Sequence, residues 1–282
     1  MGIRTDLVLE EKESRGEIEG ARFENRDYGE ISVSFTEIIS DTAARKLSKP
    51  KGRYITVEFD SIEKLADYDE LTLGLVNSVK KLLPEGADDI LLVGLGNSDI
   101  TPDALGPLVM NKILATRHIS RSLANSIGLK GLKRVSVLTP GVLGKTGIET
   151  AEIIMATAEK IKPSAVITVD ALAARKPHRL CNTVQLTDTG ISPGSGVNNS
   201  RKEISQKTLG VPVISIGIPT VVDISKYKFG VYEECKFSGK ENMIVTPKDI
   251  DNLISKSALL LSSALNIFLQ PNIDKEILLN LI

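Results

Sequence analysis

The chain has 282 residues and a nearly balanced charge, with 35 Lys and Arg against 36 Asp and Glu. The absence of a basic excess disfavours direct nucleic-acid binding and electrostatic attachment to an anionic membrane. A hydrophobic content of 41% is sufficient for a large core. No apolar run approaches the roughly 20 residues that span a bilayer, and the N-terminus lacks the apolar region of a signal peptide.

The chain has two cysteines, Cys181 and Cys235, which are far apart and match no metal-binding or disulfide-rich pattern. Such sparse cysteine usage is typical of a reducing compartment, so we expect a cytoplasmic protein.

The N-terminal part contains two alternating runs of apolar and polar residues, at 29–35 and 53–59. This pattern is typical of half-buried strands, and it predicts a small β-rich extension over residues 1–62. Residues 63–83 have apolar side chains at helical spacing and predict a helix that ends before Pro84.

From Ile90 the predicted elements alternate between strands and helices. They are a strand at 90–93, a helix at 103–118, a strand at 134–138, a helix at 148–161, and strands at 165–170, 183–186 and 211–216. Alternation of this kind predicts a three-layer α/β/α fold with a mostly parallel twisted sheet, so we interpret residues 1–282 as one α/β domain with its core at 63–282. Pro212 indicates that the strand at 211–216 either begins at this residue or has its start at the edge of the sheet.

A final long helix is predicted to open at Thr246 and Pro247, and its apolar residues form one stripe that packs on the sheet. The stripe consists of Ile250, Leu253, Ile254, Leu261, Leu265 and Phe268.

Asp103 is the first candidate catalytic residue. The strand at 90–93 turns at Gly94 and Gly96, and Thr101 and Pro102 suit the N-cap and first position of a helix. Asp103 then lies in a first helical turn at the C-terminal edge of a buried strand, where open α/β sheets bind ligands.

Asp170 is the second candidate, because it ends the short β-branched run at 164–170. Two aspartates from different strand ends at one sheet edge form an unequal acid/base pair. The helix N-terminus favours the ionised form of Asp103, the general base, whereas apolar neighbours favour a protonated Asp170, the general acid.

Three near-miss motifs leave other chemistries open. Gly94 to Asp99 departs from a dinucleotide fingerprint, and Gly144 to Thr146 is too short for a P-loop, with Thr146 and Glu149 forming a capping box instead. A non-proteolytic protein that holds phosphate at 144–146 or in the glycine-rich loop at 192–200 remains an alternative. Ser195 in that loop does not fit a nucleophile elbow, so we interpret the loop as a cover over the site.

A metal-assisted variant is also open, with Asp103, Asp170 and one of the two histidines as ligands. His118 and His178 lack any local ligand spacing. We therefore expect no metal and no cofactor.

Several segments together resemble the spore germination protease family over most of the chain. They are Gly94 to Asn97, Thr101 to Pro107, Thr139 to Val142, Thr146 to Thr150, Val169 to Arg175, Ser192 to Val197 and Gly217 to Asp223. The resemblance implies a fold related to the hydrogenase maturation proteases and an endopeptidase whose catalytic aspartates are Asp103 and Asp170. Gly96, Asn97, Thr101, Arg175 and Ser195 fall within the matched motifs and are expected to shape the site or bind substrate.

The family's substrates are the small acid-soluble proteins of dormant spores, cleaved after an acidic residue in Thr-Glu-(Ile/Phe)-Ala. The resemblance also implies a homotetramer in the cytoplasm of the forespore or spore core. The chain departs from the family in two respects. Only residues 224–245 separate the Pro-Thr-Val-Val-Asp motif from the final helix, where the family has a longer segment. The Arg-Thr-Asp-Leu sequence within which the family's propeptide ends also lies almost at the start, so we expect any propeptide to be very short.

The family is made as a zymogen whose propeptide ends in an Arg-Thr-Asp-Leu sequence, which here is Arg4 to Leu7. We predict self-cleavage between Asp6 and Leu7, which removes residues 1–6. Residues 36–38 fit the same substrate pattern but are expected to be protected by strand pairing, whereas the terminus is expected to be accessible. The alternative is an uncleaved edge strand at residues 4–9.

Overall fold

A computed structural model describes residues 5–63, 68–126, 128–129, 131–193, 202–223 and 244–280. The strands are β1 (Ala21–Tyr28), β2 (Ile31–Ile38), β3 (Gly52–Phe59), β4 (Asp89–Gly94), β5 (Arg134–Leu138), β6 (Ala165–Ala174), β7 (Thr183–Thr187), β8 (Val213–Asp223) and β9 (Ile244–Val245). The α-helices are α1 (Val8–Arg15), α2 (Asp41–Leu47), α3 (Tyr68–Leu82), α4 (Leu105–Met110), α5 (Arg121–Ser126), α6 (Leu143–Thr146), α7 (Thr150–Ile161), α8 (Gln206–Leu209), α9 (Ile250–Leu269) and α10 (Lys275–Asn280). Short 3₁₀ turns cover Thr101–Asp103 and Pro177–Arg179.

Within the described ranges the strands form one nine-stranded sheet, in the order β1-β2-β3-β7-β8-β6-β4-β5, with β9 beside β8. The α/β architecture predicted from the sequence is confirmed, but the prediction of a mostly parallel sheet is wrong. Only the strands β8, β6, β4 and β5 pair in parallel. The pairings β1-β2, β2-β3, β3-β7, β7-β8 and β8-β9 are all antiparallel. The sheet is mixed for two reasons. The short connection between β1 and β2 pairs these strands antiparallel, and the chain reverses after β6 so that β7 runs antiparallel to β8 beside it.

The predicted N-terminal β extension is not separate from the core sheet. Residues 54–58 of β3 pair with residues 183–187 of β7, so the N-terminal strands continue the same sheet. β2 pairs with β1 on one side and β3 on the other, which confirms the expected protection of residues 36–38.

Helices cover both faces of the sheet. α3, α4 and α9 pack on one face over the largest apolar cluster, and α7 covers a smaller cluster on the other. The predicted stripe of α9 is confirmed: five of its residues are buried in the large cluster and Leu253 packs against it. The helix itself begins at Ile250 rather than Thr246, whose hydroxyl donates to the carbonyl of Thr220 over 2.8 Å.

α9 also corrects the expectation that no apolar segment is long enough to span a bilayer. By length and composition its 20 residues pass that test, with a mean hydropathy of 1.3 over the most apolar window. Of that window, 61% is buried inside the protein, and the helix packs on α3 and α4, as the core helix of a folded domain does.

Candidate active site

The candidate site lies where β4 ends beside its parallel neighbour β6. β4 and β6 pair from Ile90 with Ala165 to Gly94 with Val169, and the N–H of Leu95 donates to the carbonyl of Val169 over 2.8 Å. The turn after β4 therefore leaves the sheet beside the residue that follows Val169. The carboxyl ends of parallel strands form the usual ligand-binding edge of an α/β sheet.

Asp103 is held against the turn that follows β4. The backbone N–H of Asn97 donates to Asp103 Oδ2 over 2.8 Å and lies 3.1 Å from the Asp103 carbonyl oxygen. Gly96 has φ +111°, and a Cβ at this position would lie 2.0 Å from the Asp103 carbonyl oxygen. The predicted site-shaping residues Gly96 and Asn97 therefore contact the predicted catalytic aspartate.

The local structure around Asp103 differs from the predicted helix at 103–118. Thr101 is the first residue of a 3₁₀ turn rather than an N-cap, and the preceding Ile100 takes the cap position. The helix resumes as α4 and ends at Met110. It ends early because Asn266 of α9 bonds both to the carbonyl of Lys112 and to the N–H of Leu114.

Close backbone contact draws this turn onto the sheet. A Cβ at Gly106 would lie 2.6 Å from the Val169 carbonyl oxygen, and a Cβ at Gly94 would lie 2.5 Å from the Gly106 carbonyl oxygen. Only glycine permits such an approach of α4 to β4 and β6. The hydroxyl of Thr220 on β8 adds a hydrogen bond of 2.7 Å to the carbonyl of Pro102, beside Asp103.

Asp170 lies near the middle of β6 and is buried, with 6% of its surface exposed. It pairs with Gly217 of β8, and its Oδ1 accepts the N–H of Ala171 over 2.9 Å. Asp170 is thus placed one residue beyond Val169, the residue whose carbonyl contacts the β4 turn and α4. Both aspartates are delivered to one edge of the sheet by adjacent strands.

The loop at 144–146 does not have the structure of a phosphate cradle. Lys145 forms an ion pair with Asp99, and the hydrogen bond from Lys145 lowers the pKa of Asp99. The Thr146 hydroxyl bonds to the carbonyls of Val142 and Ile148. The predicted capping box of Thr146 with Glu149 is wrong, because Glu149 is itself the N-cap of α7.

Both histidines lie on the surface, His118 after α4 and His178 in the second 3₁₀ turn. Within the part of the chain that the structure describes, no group of three or more His, Cys, Asp and Glu side chains is placed to hold a metal ion. The histidine-assisted metal site considered from the sequence is therefore not assembled by these residues.

The predicted cleavage point, Asp6 and Leu7, lies against the far end of β6. The Asp6 N–H donates to the carbonyl of Ala173 over 2.9 Å, and Leu7 is fully buried. Residues 8–15 form α1, so the alternative of an edge strand at 4–9 is also wrong. The expectation that this segment is accessible is wrong from Thr5 onward, and cleavage there requires the segment to leave its place.

Arg175, a predicted site-shaping residue, contacts α1. Its Nη2 lies 2.7 Å from Glu11, and its backbone N–H donates to the buried carboxylate of Glu10 over 2.6 Å. Arg179 adds ion pairs with Glu10 and with Glu13. Partial burial raises the pKa of Glu13, but hydrogen bonds from Arg179 and Lys176 outweigh it and lower the pKa to about 2.

A cavity of about 220 Å³ extends over the sheet next to Asp170. Its walls include Leu172 and Gly217, two close neighbours of Asp170, and it continues across Gln185 of β7 to Lys49 and Tyr54.

The predicted residue Ser195 lies outside the described residues. Sequence reasoning missed Gln185 and Lys49, which belong to no local motif. It also did not single out Thr220, although Thr220 lies within the motif Gly217 to Asp223. Gly106, within a predicted helix, was a signal of close packing.

Comparison with known proteins decides the family. A sequence model of the germination protease family matches residues 3–230. The chain belongs to the germination protease family. A germination protease from Clostridium tetani is 38% identical, and the match covers 98% of both chains. Another, from Caldanaerobacter subterraneus subsp. tengcongensis, is 39% identical over 98% of this chain and 97% of the relative.

The germination protease from Oceanobacillus iheyensis is 44% identical over 78% of this chain and 64% of its own length. A solved structure of a hydrogenase maturation protease from Thermococcus kodakarensis is similar with a TM-score of 0.38 and 18% identity, covering 67% of this chain and 98% of that one. Family membership makes this germination protease an endopeptidase of spore germination.

Proposed function

We propose that the protein starts the degradation of small acid-soluble spore proteins during germination, and that Asp103 and Asp170 activate water against a peptide carbonyl. The observation that supports the dyad is the placement of both aspartates at one edge of adjacent parallel strands, with Asp103 oriented by the N–H of Asn97. Carboxylate pairs in which one member is ionised and the other protonated perform general acid/base chemistry.

In this mechanism Asp103 is the general base. A hydrogen bond from a backbone amide stabilises the ionised form of a carboxylate, and Asp103 is only half buried. It takes a proton from the attacking water as the oxygen bonds to the carbonyl carbon. Asp170 is the more buried group, and burial favours a neutral carboxyl, which then donates its proton to the leaving nitrogen as the C–N bond breaks.

The proposal includes the cellular setting that the sequence resemblance implies. The enzyme acts as a homotetramer in the cytoplasm of the forespore and spore core, and it is made as a precursor that loses residues 1–6 by self-cleavage. Sequencing the N-terminus after mild acidification tests the last point. A fully active enzyme that still begins at residue 1 or 2 contradicts activation by this cleavage.

Incubation with a purified small acid-soluble spore protein, followed by mass spectrometry of the fragments, tests the activity. Asp103→Asn and Asp170→Asn should each lower kcat by about 10²- to 10⁴-fold with unchanged circular dichroism. Asp99→Asn is the matched control, because Asp99 is an exposed aspartate of the same loop paired with Lys145. Normal activity of either dyad variant contradicts the mechanism, as does loss of activity on chelation with rescue by a divalent metal.

A further inference from the structure

The N-terminal segment is held through its own main chain and through the Asp6 carboxylate, which accepts the N–H of Ala173 over 2.8 Å. The N–H of Asp6 donates to the carbonyl of Ala173 over 2.9 Å. The side-chain amide of Gln185 bonds on both sides of Leu7: its Nε2 donates to the carbonyl of Asp6 over 2.9 Å, and its Oε1 accepts the N–H of Val8 over 2.7 Å. Gln185 thus contacts the segment as a peptide group of a neighbouring strand would.

Lys49 provides a further contact to the main chain, because its Nζ donates to the carbonyl of Thr5 over 3.0 Å. The Lys49 side chain is enclosed, and desolvation lowers its pKa. Main-chain contacts of this kind bind an extended peptide of almost any sequence, while pockets between them select side chains.

The pocket in this case is the one that Leu7 fills. Leu7 packs with Leu172, Ala174, Leu180 and Val222 in a small apolar cluster at the end of β6 and β8. Leu→Ala truncation in such a cluster removes both buried area and packing contacts. The segment therefore combines main-chain hydrogen bonds with an acidic position at Asp6 and an apolar position at Leu7.

This holding site lies beside the candidate active site, because close neighbours of Asp170 line the same cavity. Leu172 is two residues from Asp170 on β6, and alternate residues of a strand lie on the same face. Leu172 and Gln185 both line the cavity of about 220 Å³, and Gly217, the pairing partner of Asp170, lines it as well. A peptide bound by Gln185 and Ala173 is thus led toward Asp170.

We propose that Gln185, Ala173 and the apolar pocket of Leu7 form a binding subsite for the protein substrate. An extended stretch of substrate binds there with an apolar side chain in the place of Leu7. In the chain that still carries residues 1–6, residues 5–8 occupy the subsite until substrate displaces them. The inference rests on the proposed function, because it assigns a subsite to that reaction.

Binding of a fluorescein-labelled peptide with the sequence of residues 5–10, Thr-Asp-Leu-Val-Leu-Glu, tests the proposal by fluorescence anisotropy. Every protein carries Asp103→Asn so that the peptide is not cut. The wild-type segment reduces the fraction of open sites, so Leu7→Ala should tighten peptide binding at least roughly tenfold. Leu7→Val is the milder second variant if Leu7→Ala lowers the unfolding temperature strongly.

In the Leu7→Ala chain, Gln185→Met should weaken peptide binding by about tenfold or more, because two hydrogen bonds to the peptide are lost. Gln270→Met is the matched control. Gln270 is also buried and pairs with both the N–H and the carbonyl of one residue, Lys133, but it does so at the opposite end of the sheet. This control should leave peptide binding within about twofold while costing similar stability.

The proposal is overturned if Gln185→Met leaves the peptide affinity of the Leu7→Ala chain unchanged. It is also overturned if Leu7→Ala itself leaves the peptide affinity unchanged. Failure of the proposed function has a different signature. In that case the wild-type chain leaves the spore protein uncut, whatever the labelled peptide does.

Discussion

The backbone N–H of Asn97 donates to Asp103 Oδ2 over 2.8 Å, which fixes a candidate catalytic carboxylate to the loop that follows β4. The contact is possible because Gly96 takes φ +111° and lets the loop pass close to the Asp103 carbonyl. The orientation of Asp103 therefore depends on a glycine seven residues away in sequence. Preorganised carboxylates act without a reorganisation cost during the reaction.

Gly96→Ala should lower both activity and stability. The added Cβ would lie 2.0 Å from the Asp103 carbonyl oxygen, and an L side chain at this φ is strained. Steric overlap and the left-handed backbone together should cost about 2–4 kcal/mol in the free energy of unfolding. Gly147→Ala is the control, since Gly147 has φ +71° but open space around its Cβ, and should cost about 1–2 kcal/mol without loss of kcat. Equal activity of the two variants would contradict the role given to Gly96.

Thr220→Val should lower kcat by roughly 10- to 100-fold with little change in KM, because the Thr220 hydroxyl holds the Pro102 carbonyl and thereby the position of Asp103. Thr220→Ser keeps the hydroxyl and should restore most of kcat. Thr246→Val, which removes a hydroxyl bonded to the Thr220 carbonyl, should cost stability with a smaller loss of kcat. Steady-state kinetics on a spore protein substrate measures these differences, and a Val variant with wild-type kcat would refute the positioning role.

Glu13→Gln should lower Tm at pH 7 by about 1–3 °C. Burial raises the pKa of Glu13, but the hydrogen bonds from Arg179 and Lys176 outweigh this effect and lower the pKa from its ordinary value of 4.5 to about 2. A depressed pKa in the folded state stabilises the protein above pH 4.5, and this contribution is lost as the pH falls from 4.5 to about 2.

The Tm difference between wild type and Glu13→Gln should accordingly shrink across that pH range, as measured by thermal melts from pH 7 to pH 2. Glu19→Gln, an exposed glutamate before β1, serves as the control and should show no comparable trend. A Tm difference that stays constant with pH would argue against the ion pair as its cause.

Cys181 should be unreactive in the folded protein. Burial raises the pKa of its thiol to about 12, so at pH 8 only about one molecule in ten thousand carries the reactive thiolate. In a Cys235→Ser chain, a colorimetric thiol reagent should detect no thiol under native conditions and one thiol per chain in guanidinium. Stoichiometric labelling of the folded chain would show that the segment just before β7 opens readily.

The sequence was sufficient to predict most strands of the core, because a buried strand has a continuous apolar run or strict alternation. β5 was predicted with the residues it has, and the runs at 29–35 and 53–59 correspond to β2 and β3. β1 was missed since its residues are mostly polar and exposed, and only pairing with β2 makes it a strand. The mixed character of the sheet depends on which strands pair, and periodicity carries no such information.

In the candidate site, too, local features could be predicted from the sequence, whereas contacts between distant residues could not. Asp103 follows the end of β4, and Asp170 follows an apolar run, which are features that a sequence reveals. The predicted strand end at Asp170 is wrong, because β6 continues to Ala174. The glycines of the β4 turn mark close backbone approach. The role of Gln185 depends on contact with residues nearly 180 positions earlier, which no spacing rule predicts. Arg175 was assigned to the substrate from its motif, but its partners Glu10 and Glu11 belong to a helix that the sequence did not predict.

The docking of residues 5–8 on β6 and β7 joins two parts of one polypeptide, so its equilibrium is unimolecular. Diluting the enzyme cannot release the segment, and raising the enzyme concentration cannot promote its binding. A tethered segment acts at an effective concentration that reaches the millimolar range for short connections. A substrate protein that competes for the same contacts must match that local concentration. The fraction of subsites occupied by residues 5–8 therefore depends on the concentration of substrate and not on the concentration of enzyme.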